Sequence, residues 1–176
     1  PQDVPVALCM GRFSDYDKMD LVPLLQAMRA ITIPSVLILA GNVQSEEYFS
    51  ILQLWIQILG LKERVFIFKT PSESLKKGLF RAADFFVSIA DNPQETFGLS
   101  LVEAMSAGLP LLVSDYNGYK ELCTPDVGIR IPTSWVKTPS LSTLSPILDP
   151  AMLHRQLAQS LALDNRFLRK SLLRLF

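Results

Sequence analysis

The sequence predicts an α/β domain built on one doubly wound parallel sheet with helices on both faces. Three observations carry that reading. Short continuous apolar runs, rich in β-branched and aromatic residues, recur along the chain, as in strands buried on both faces. Between them lie stretches with apolar residues at helical spacing. The two kinds of segment alternate, and strand–helix–strand repetition folds into a parallel sheet.

The first strand is expected at Val4 to Met10. Asp20 to Ala30 follows as a helix, with Leu21, Leu24, Leu25 and Met28 on one face and Pro23 in the tolerant first turn. Val36 to Ala40 is the second strand. Ser45 to Leu59 is a longer helix, with Ser45 as N-cap, Glu46 and Glu47 at its positive end, and Gly60 closing it. Val65 to Phe68 is the third strand, and Ser72 to Ala83 the third helix, with Ser72 as N-cap. Phe85 to Ile89 is the fourth strand. Leu99 to Ala107 is the fourth helix, stopped by Gly108 and Pro110. Leu111 to Val113 and a short strand around Val127 to Ile131 complete the set.

Beyond that the pattern breaks. Pro132 to Pro150 holds four prolines and reads as a loop, and Ala151 to Leu163 and Asn165 to Leu175 read as two closing helices. The expected organisation is therefore one domain over 1–176, with its core at about 4–131, a loop at 132–150 and closing helices at 151–175.

At 176 residues the chain can bury one sizeable core, and 49% apolar with 19% charged residues is a globular composition. Seventeen basic residues against seventeen acidic ones leave no electrostatic footprint for nucleic acid or anionic membrane. Cys9 and Cys123 are too few for a disulfide scaffold and read as free, buried thiols. His154 stands alone, with no acid or nucleophile pattern around it, and reads as a surface or half-packed histidine. No apolar run approaches the ~20 residues of a membrane span and the N-terminus shows no signal peptide, so a cytoplasmic protein is the expectation.

Doubly wound sheets bind ligands beyond the carboxyl ends of their strands. No G-x-G-x-x-G follows the first strand and no G-x-x-x-x-G-K-S/T occurs, so neither the dinucleotide fingerprint nor a P-loop is present. The exits offer instead two cations, Arg12 and Lys18, and a helix starting at Gly98. A guanidinium fork, an ammonium and free helix-start N–H groups together suit a diphosphate without a metal. Surface ion pairs of Arg12 and Lys18 with Asp15, Asp17 or Asp20 are the alternative. Glu95 and Glu103 flank that helix start eight positions apart. Carboxylates there suit a ligand that also carries hydroxyls, although loop exposure for Glu95 and helix-surface exposure for Glu103 remain open.

The run Glu95-Thr96-Phe97-Gly98-Leu99-Ser100-Leu101-Val102-Glu103 resembles the paired-glutamate motif of the retaining GT-B glycosyltransferases of family 4. Four further segments are similar in order. They are Gly11-Arg12 followed by Lys18, Leu37 to Gly41, Leu79 to Ser88 through Ala83-Asp84, and Ala104 to Asp115. The resemblance implies one Rossmann-like half of a GT-B fold, the C-terminal domain that binds the nucleotide-sugar donor. Arg12 and Lys18 would grip the diphosphate leaving group and take the place of a metal. Phe97, Gly98 and Leu99 would present backbone N–H groups to phosphate and sugar. Glu95 would contact the transferred sugar and Glu103 the ribose, while Thr70 and Pro71 would line the nucleobase.

The same resemblance implies retention of configuration, no cofactor and no metal. The N-terminal acceptor domain, with its glycine-rich loop and histidine, has no counterpart here, and any peripheral membrane contact would come through it. An excised C-terminal domain without transfer activity of its own is the expectation. A GT-B-like sugar-nucleotide epimerase or phosphorylase and a non-catalytic interaction module are the alternatives. Intact Arg12, Lys18, Glu95 and Glu103 weigh against the last of these.

Overall fold

A computed structural model of the chain describes residues 4–14, 19–90, 97–116, 118–135, 161–163 and Leu172. Six strands form one sheet: β1 (Val6–Met10), β2 (Val36–Gly41), β3 (Val65–Lys69), β4 (Phe85–Ser88), β5 (Leu111–Ser114) and β6 (Gly128–Ile131). Their order is β3-β2-β1-β4-β5-β6 and every pairing is parallel. The chain thus winds outward from β1 to β3, returns to the middle and winds outward again. The switch point lies between β1 and β4.

The helices are α1 (Val22–Ala30), α2 (Glu46–Ile58), α3 (Glu73–Ala82), α4 (Leu99–Ser106) and α5 (Tyr119–Leu122). Side chains of a strand alternate between faces, and that alternation sorts the helices. Ala7, Cys9, Leu37, Leu39, Phe85, Val87 and Leu112 point to one face, where α1 and α2 bury Leu24, Leu25, Met28, Phe49, Leu52 and Ile56. Leu8, Met10, Ile38, Ala40, Phe86, Leu111 and Val113 point to the other, against Leu79 and Phe80 of α3, Leu101 and Ala104 of α4, and Tyr119 of α5. The expected doubly wound sheet with helices on both faces is what folds.

The caps follow the sequence. Ser45 accepts a hydrogen bond from the N–H of Tyr48, and Ser72 accepts one from the N–H of Leu75. Gly60 sits just past α2 with φ +67, the left-handed turn that a glycine makes without strain. Arg64, just before β3, ties down the segment that leads into β2. Its guanidinium donates to the carbonyls of Ile31, Ile33 and Ser35 at 2.9, 3.3 and 3.1 Å.

Two expectations for the C-terminal third need correction. Thr133–Trp135 is a strand, β7, inside the stretch read as a loop. Leu161–Leu163 is a strand, β8, where the sequence suggested the end of a helix. The two pair antiparallel, Thr133 with Leu163 and Trp135 with Leu161, apart from the main sheet. Leu-Ala-Leu suits either conformation, and backbone pairing with β7 decides. The remainder of the two predicted closing helices lies outside the described residues, apart from Leu172, which is helical and fully buried in the α1–α2 core. His154 also lies outside them. The four-residue α5 was not anticipated, because one turn is too short to show a period. No helix of the described residues is long and apolar enough to cross a membrane.

Candidate functional site

The carboxyl ends of β1, β2 and β3 are tied to one another through backbone. Gly11 N–H donates to the Ala40 carbonyl at 2.9 Å and Phe13 N–H to the Asn42 carbonyl at 2.8 Å. Thr70 N–H donates to the Gly41 carbonyl at 2.9 Å. The first contact needs a glycine at 41: a Cβ there would fall 1.6 Å from the Gly11 carbonyl oxygen. Arg12 is the exposed residue between two anchored neighbours, with Phe13 buried beneath it. Its position at the exit of β1 is therefore set by the sheet. Asp20, one of the acids that could have paired with the loop cations, accepts from the N–H of Val22 at 3.0 Å and from the Tyr48 hydroxyl at 3.2 Å.

Beyond β4, the strand next to β1, the chain enters α4 at Gly98. This residue is left-handed, with φ 77 and ψ 58, and its carbonyl receives the first helical bond from the N–H of Leu101 at 2.9 Å. Phe97 and Leu99 flank it and are 55% and 72% exposed, so apolar side chains line the helix start on the solvent side. The switch point thus brings Arg12 and the Phe97-Gly98-Leu99 helix start to neighbouring strands of one edge. Lys18 and Glu95 lie outside the described residues.

Glu103 stands one turn into α4 and faces α3. Lys76 Nζ donates to its Oε1 at 2.5 Å. The pair borders a cleft of about 470 Å3 between the two helices, lined by Lys76, Lys77, Phe80, Arg81, Val102 and Glu103. Thr70 and Pro71 lie at the exit of β3, directly before Ser72 and α3, so the nucleobase candidates and Lys76 share one segment. Thr70 is held at φ +45, a left-handed conformation that a β-branched residue rarely adopts. Lys76 was not singled out from the sequence. Its spacing of four from Phe80 on α3 put it on the face toward α4, but nothing in the sequence said which helix would lie there.

Beneath the helix start lies a buried polar layer. Ser88, at the end of β4, is 2.8 Å from the Tyr119 hydroxyl, and Ser114, at the end of β5, donates to the Ala90 carbonyl at 2.6 Å. Both serines are fully buried. Cys123 lies on the same side of the sheet, and burial pushes its thiol up to about 11, with nearby Arg130 opposing and Asp115 adding to the effect. Cys9 is buried on the opposite side, and neither cysteine forms a disulfide, as expected.

Arranged this way, the edge can bind an anion at Arg12 and the α4 start, and hydroxyl groups at Glu103. Known proteins are similar to the chain in sequence and in fold. The chain is 30% identical over 119 residues to the GDP-mannose:cellobiosyl-diphosphopolyprenol alpha-mannosyltransferase of Komagataeibacter xylinus, a match covering 65% of this chain and 29% of the relative. The enzyme of that name from Xanthomonas oryzae pv. oryzae is 33% identical over 118 residues, covering 66% and 30%. The chain thus spans about three tenths of the length of these curated relatives. Among solved structures, HepE from Anabaena in complex with UDP-glucose is similar over 68% of this chain and 32% of that one, with 25% identity and a TM-score of 0.60. Sucrose-phosphate synthase from Thermosynechococcus elongatus shares the fold over 100% of this chain and 42% of that one, with 24% identity and a TM-score of 0.64. The family described as glycosyl transferases group 1 matches residues 1–155, and the chain belongs to it.

Proposed function

We propose that this chain is the donor-binding domain of a retaining GT-B glycosyltransferase that takes its sugar from a nucleoside diphosphate. The observation that supports the reading is topological: Arg12 follows β1, and α4, with its start at Gly98 and Glu103 one turn on, follows the neighbouring strand β4. A diphosphate bound between Arg12 and the helix start places its nucleoside toward Glu103 and α3, with ribose hydroxyls on the carboxylate and the base near Thr70 and Pro71. Relatives named for GDP-mannose and a structural neighbour holding UDP-glucose support this substrate class.

In this reading Arg12 and Lys18 stabilise the charge that develops on the leaving diphosphate, so no metal or cofactor is required. Glu95 orients the transferred sugar. The sugar passes through an oxocarbenium-like state with retention of configuration, to an acceptor held by an N-terminal domain that closes over the crevice and excludes water. A cytoplasmic location goes with that donor class. Transfer by these 176 residues alone is negligible, because the acceptor side is supplied elsewhere.

Calorimetric titration of the chain with UDP, GDP and ADP tests the reading. The expected result is millimolar or tighter binding of one of them, unaffected by EDTA and weakened by Arg12→Ala and by Glu103→Ala. Binding of none would return the chain to the non-catalytic alternative. Sugar transfer by the chain alone would overturn the two-domain reading.

A further inference from the structure

Tyr119 opens α5 and is 1% exposed, among the largest fully buried side chains of the protein. Its ring edge lies directly beneath Gly98: a Cβ on Gly98 would fall 2.6 Å from Cε1 and 3.0 Å from Cδ1. The far end of the ring is held as well, its hydroxyl 2.8 Å from Ser88 Oγ. A leucine or phenylalanine would fill the same apolar space beside Leu101 and Ala104. A buried hydroxyl adds nothing to such a core unless it is bonded, and here the bond fixes the ring against the end of β4.

The ring therefore spans the gap between the carboxyl end of the sheet and Gly98, the N-cap residue of α4. The N–H of Leu101 bonds to the Gly98 carbonyl, so the first turn is built on Gly98 and moves with it. We infer that Tyr119 is a positioning residue for the donor site: its ring, tethered by Ser88, sets the height of the α4 start above the sheet. This rests on the reading that the α4 start takes the donor diphosphate. Tyr119 is buried and acts through Gly98.

The test uses the chain with UDP, GDP and ADP as probes, and compares Tyr119→Phe, Ser88→Ala and the double variant. Tyr119→Phe keeps the ring and removes the tether. The expected result is about tenfold weaker nucleotide binding in each single variant and no further loss in the double, with thermal midpoints lowered by similar small amounts. Amide hydrogen exchange at Leu101 and Val102 should rise in the same variants, with exchange in β1 and β2 unchanged. Affinity within twofold of the unsubstituted chain in Tyr119→Phe would overturn the inference. If the unsubstituted chain binds none of UDP, GDP and ADP, the donor-site reading falls. Exchange at Leu101 and Val102 then decides alone whether Tyr119 sets the helix start, and an unchanged rate there overturns it.

Discussion

Lys76 Nζ lies 2.5 Å from Glu103 Oε1 and joins α3 to α4 across the cleft that the donor site would use. The side chains are 24% and 42% exposed, and a pair so open to water contributes about 1 kcal/mol or less to stability. Its consequence lies in orientation. With Oε1 engaged, Oε2 is the oxygen that would accept hydrogen bonds from ligand hydroxyls in the proposed donor site.

Lys76→Met should therefore leave the thermal midpoint nearly unchanged and weaken UDP or GDP binding several-fold. Glu103→Gln keeps the shape and removes the charge, and should weaken binding by a larger factor, tenfold or more, worth about 1.4 kcal/mol. Calorimetry on both variants checks this. Tighter binding in Lys76→Met would mean that the lysine competes with the ligand for the carboxylate.

Gly41→Ala should be severely damaging, because Gly41 is buried at the end of β2. The added methyl would sit 1.6 Å from a backbone carbonyl oxygen of Gly11, and no side chain is there to give way. The Gly11–Ala40 bond that anchors Arg12 must break or the strand ends must part. A loss of about 3 kcal/mol or more is expected, at the severe end for point substitutions. Urea denaturation measures it, and a loss below about 1 kcal/mol would contradict the close approach.

Thr70→Gly should act the other way. Left-handed backbone costs an L-residue roughly 1–2 kcal/mol, and glycine removes that strain at the price of some added freedom in the unfolded chain. A net gain of about 0.5–1 kcal/mol in unfolding free energy is expected, because φ at 70 is +45 and the N–H remains bonded to Gly41. A lowered thermal midpoint would show that the threonine side chain contributes more than its backbone strain removes.

Cys123 makes stability fall at high pH. Its thiol titrates near 11 in the folded chain against an ordinary value of 9.0, so the folded state holds the proton longer. Stability from this group is whole below pH 9.0 and is lost as pH rises toward about 11. Cys123→Ala removes that dependence. The difference in unfolding free energy between the two proteins should shrink by on the order of 2 kcal/mol across that window, since one pKa unit is about 1.4 kcal/mol. A constant difference would mean that Cys123 stays ordinary in the fold. Neither Cys123 nor Cys9 should react with a thiol reagent at neutral pH before unfolding, as both are buried.

The six sheet strands and the first four helices were legible because each carries a local signal several residues long. Ser45 and Ser72 announced helix starts, and both cap through the bonds their positions implied. Gly98 was legible as a helix start for the same reason. The hairpin of β7 and β8 was not legible. Its two strands are three residues each and 25 positions intervene between them, so neither carries a pattern without its partner. The candidate site was legible in part. Arg12, Gly98 and Glu103 could be named from the exits of strands and a motif. Lys76 and Tyr119 could not, since a lysine on a helix and a tyrosine after a glycine are common and locally silent.

Residue order alone settled the fold class and pointed to the edge of the sheet at which the candidate site is proposed. Apolar runs two-sided enough to be central strands leave only a covered parallel sheet, and such a sheet binds at its carboxyl ends. Packing settled the rest. Lys76 reaches Glu103 across 27 positions, and Tyr119 reaches Gly98 across 21, only because α3, α4 and α5 lie together on one face of the sheet. Such contacts depend on the crossing of whole elements over one another. No window of sequence short enough to carry a propensity spans both partners.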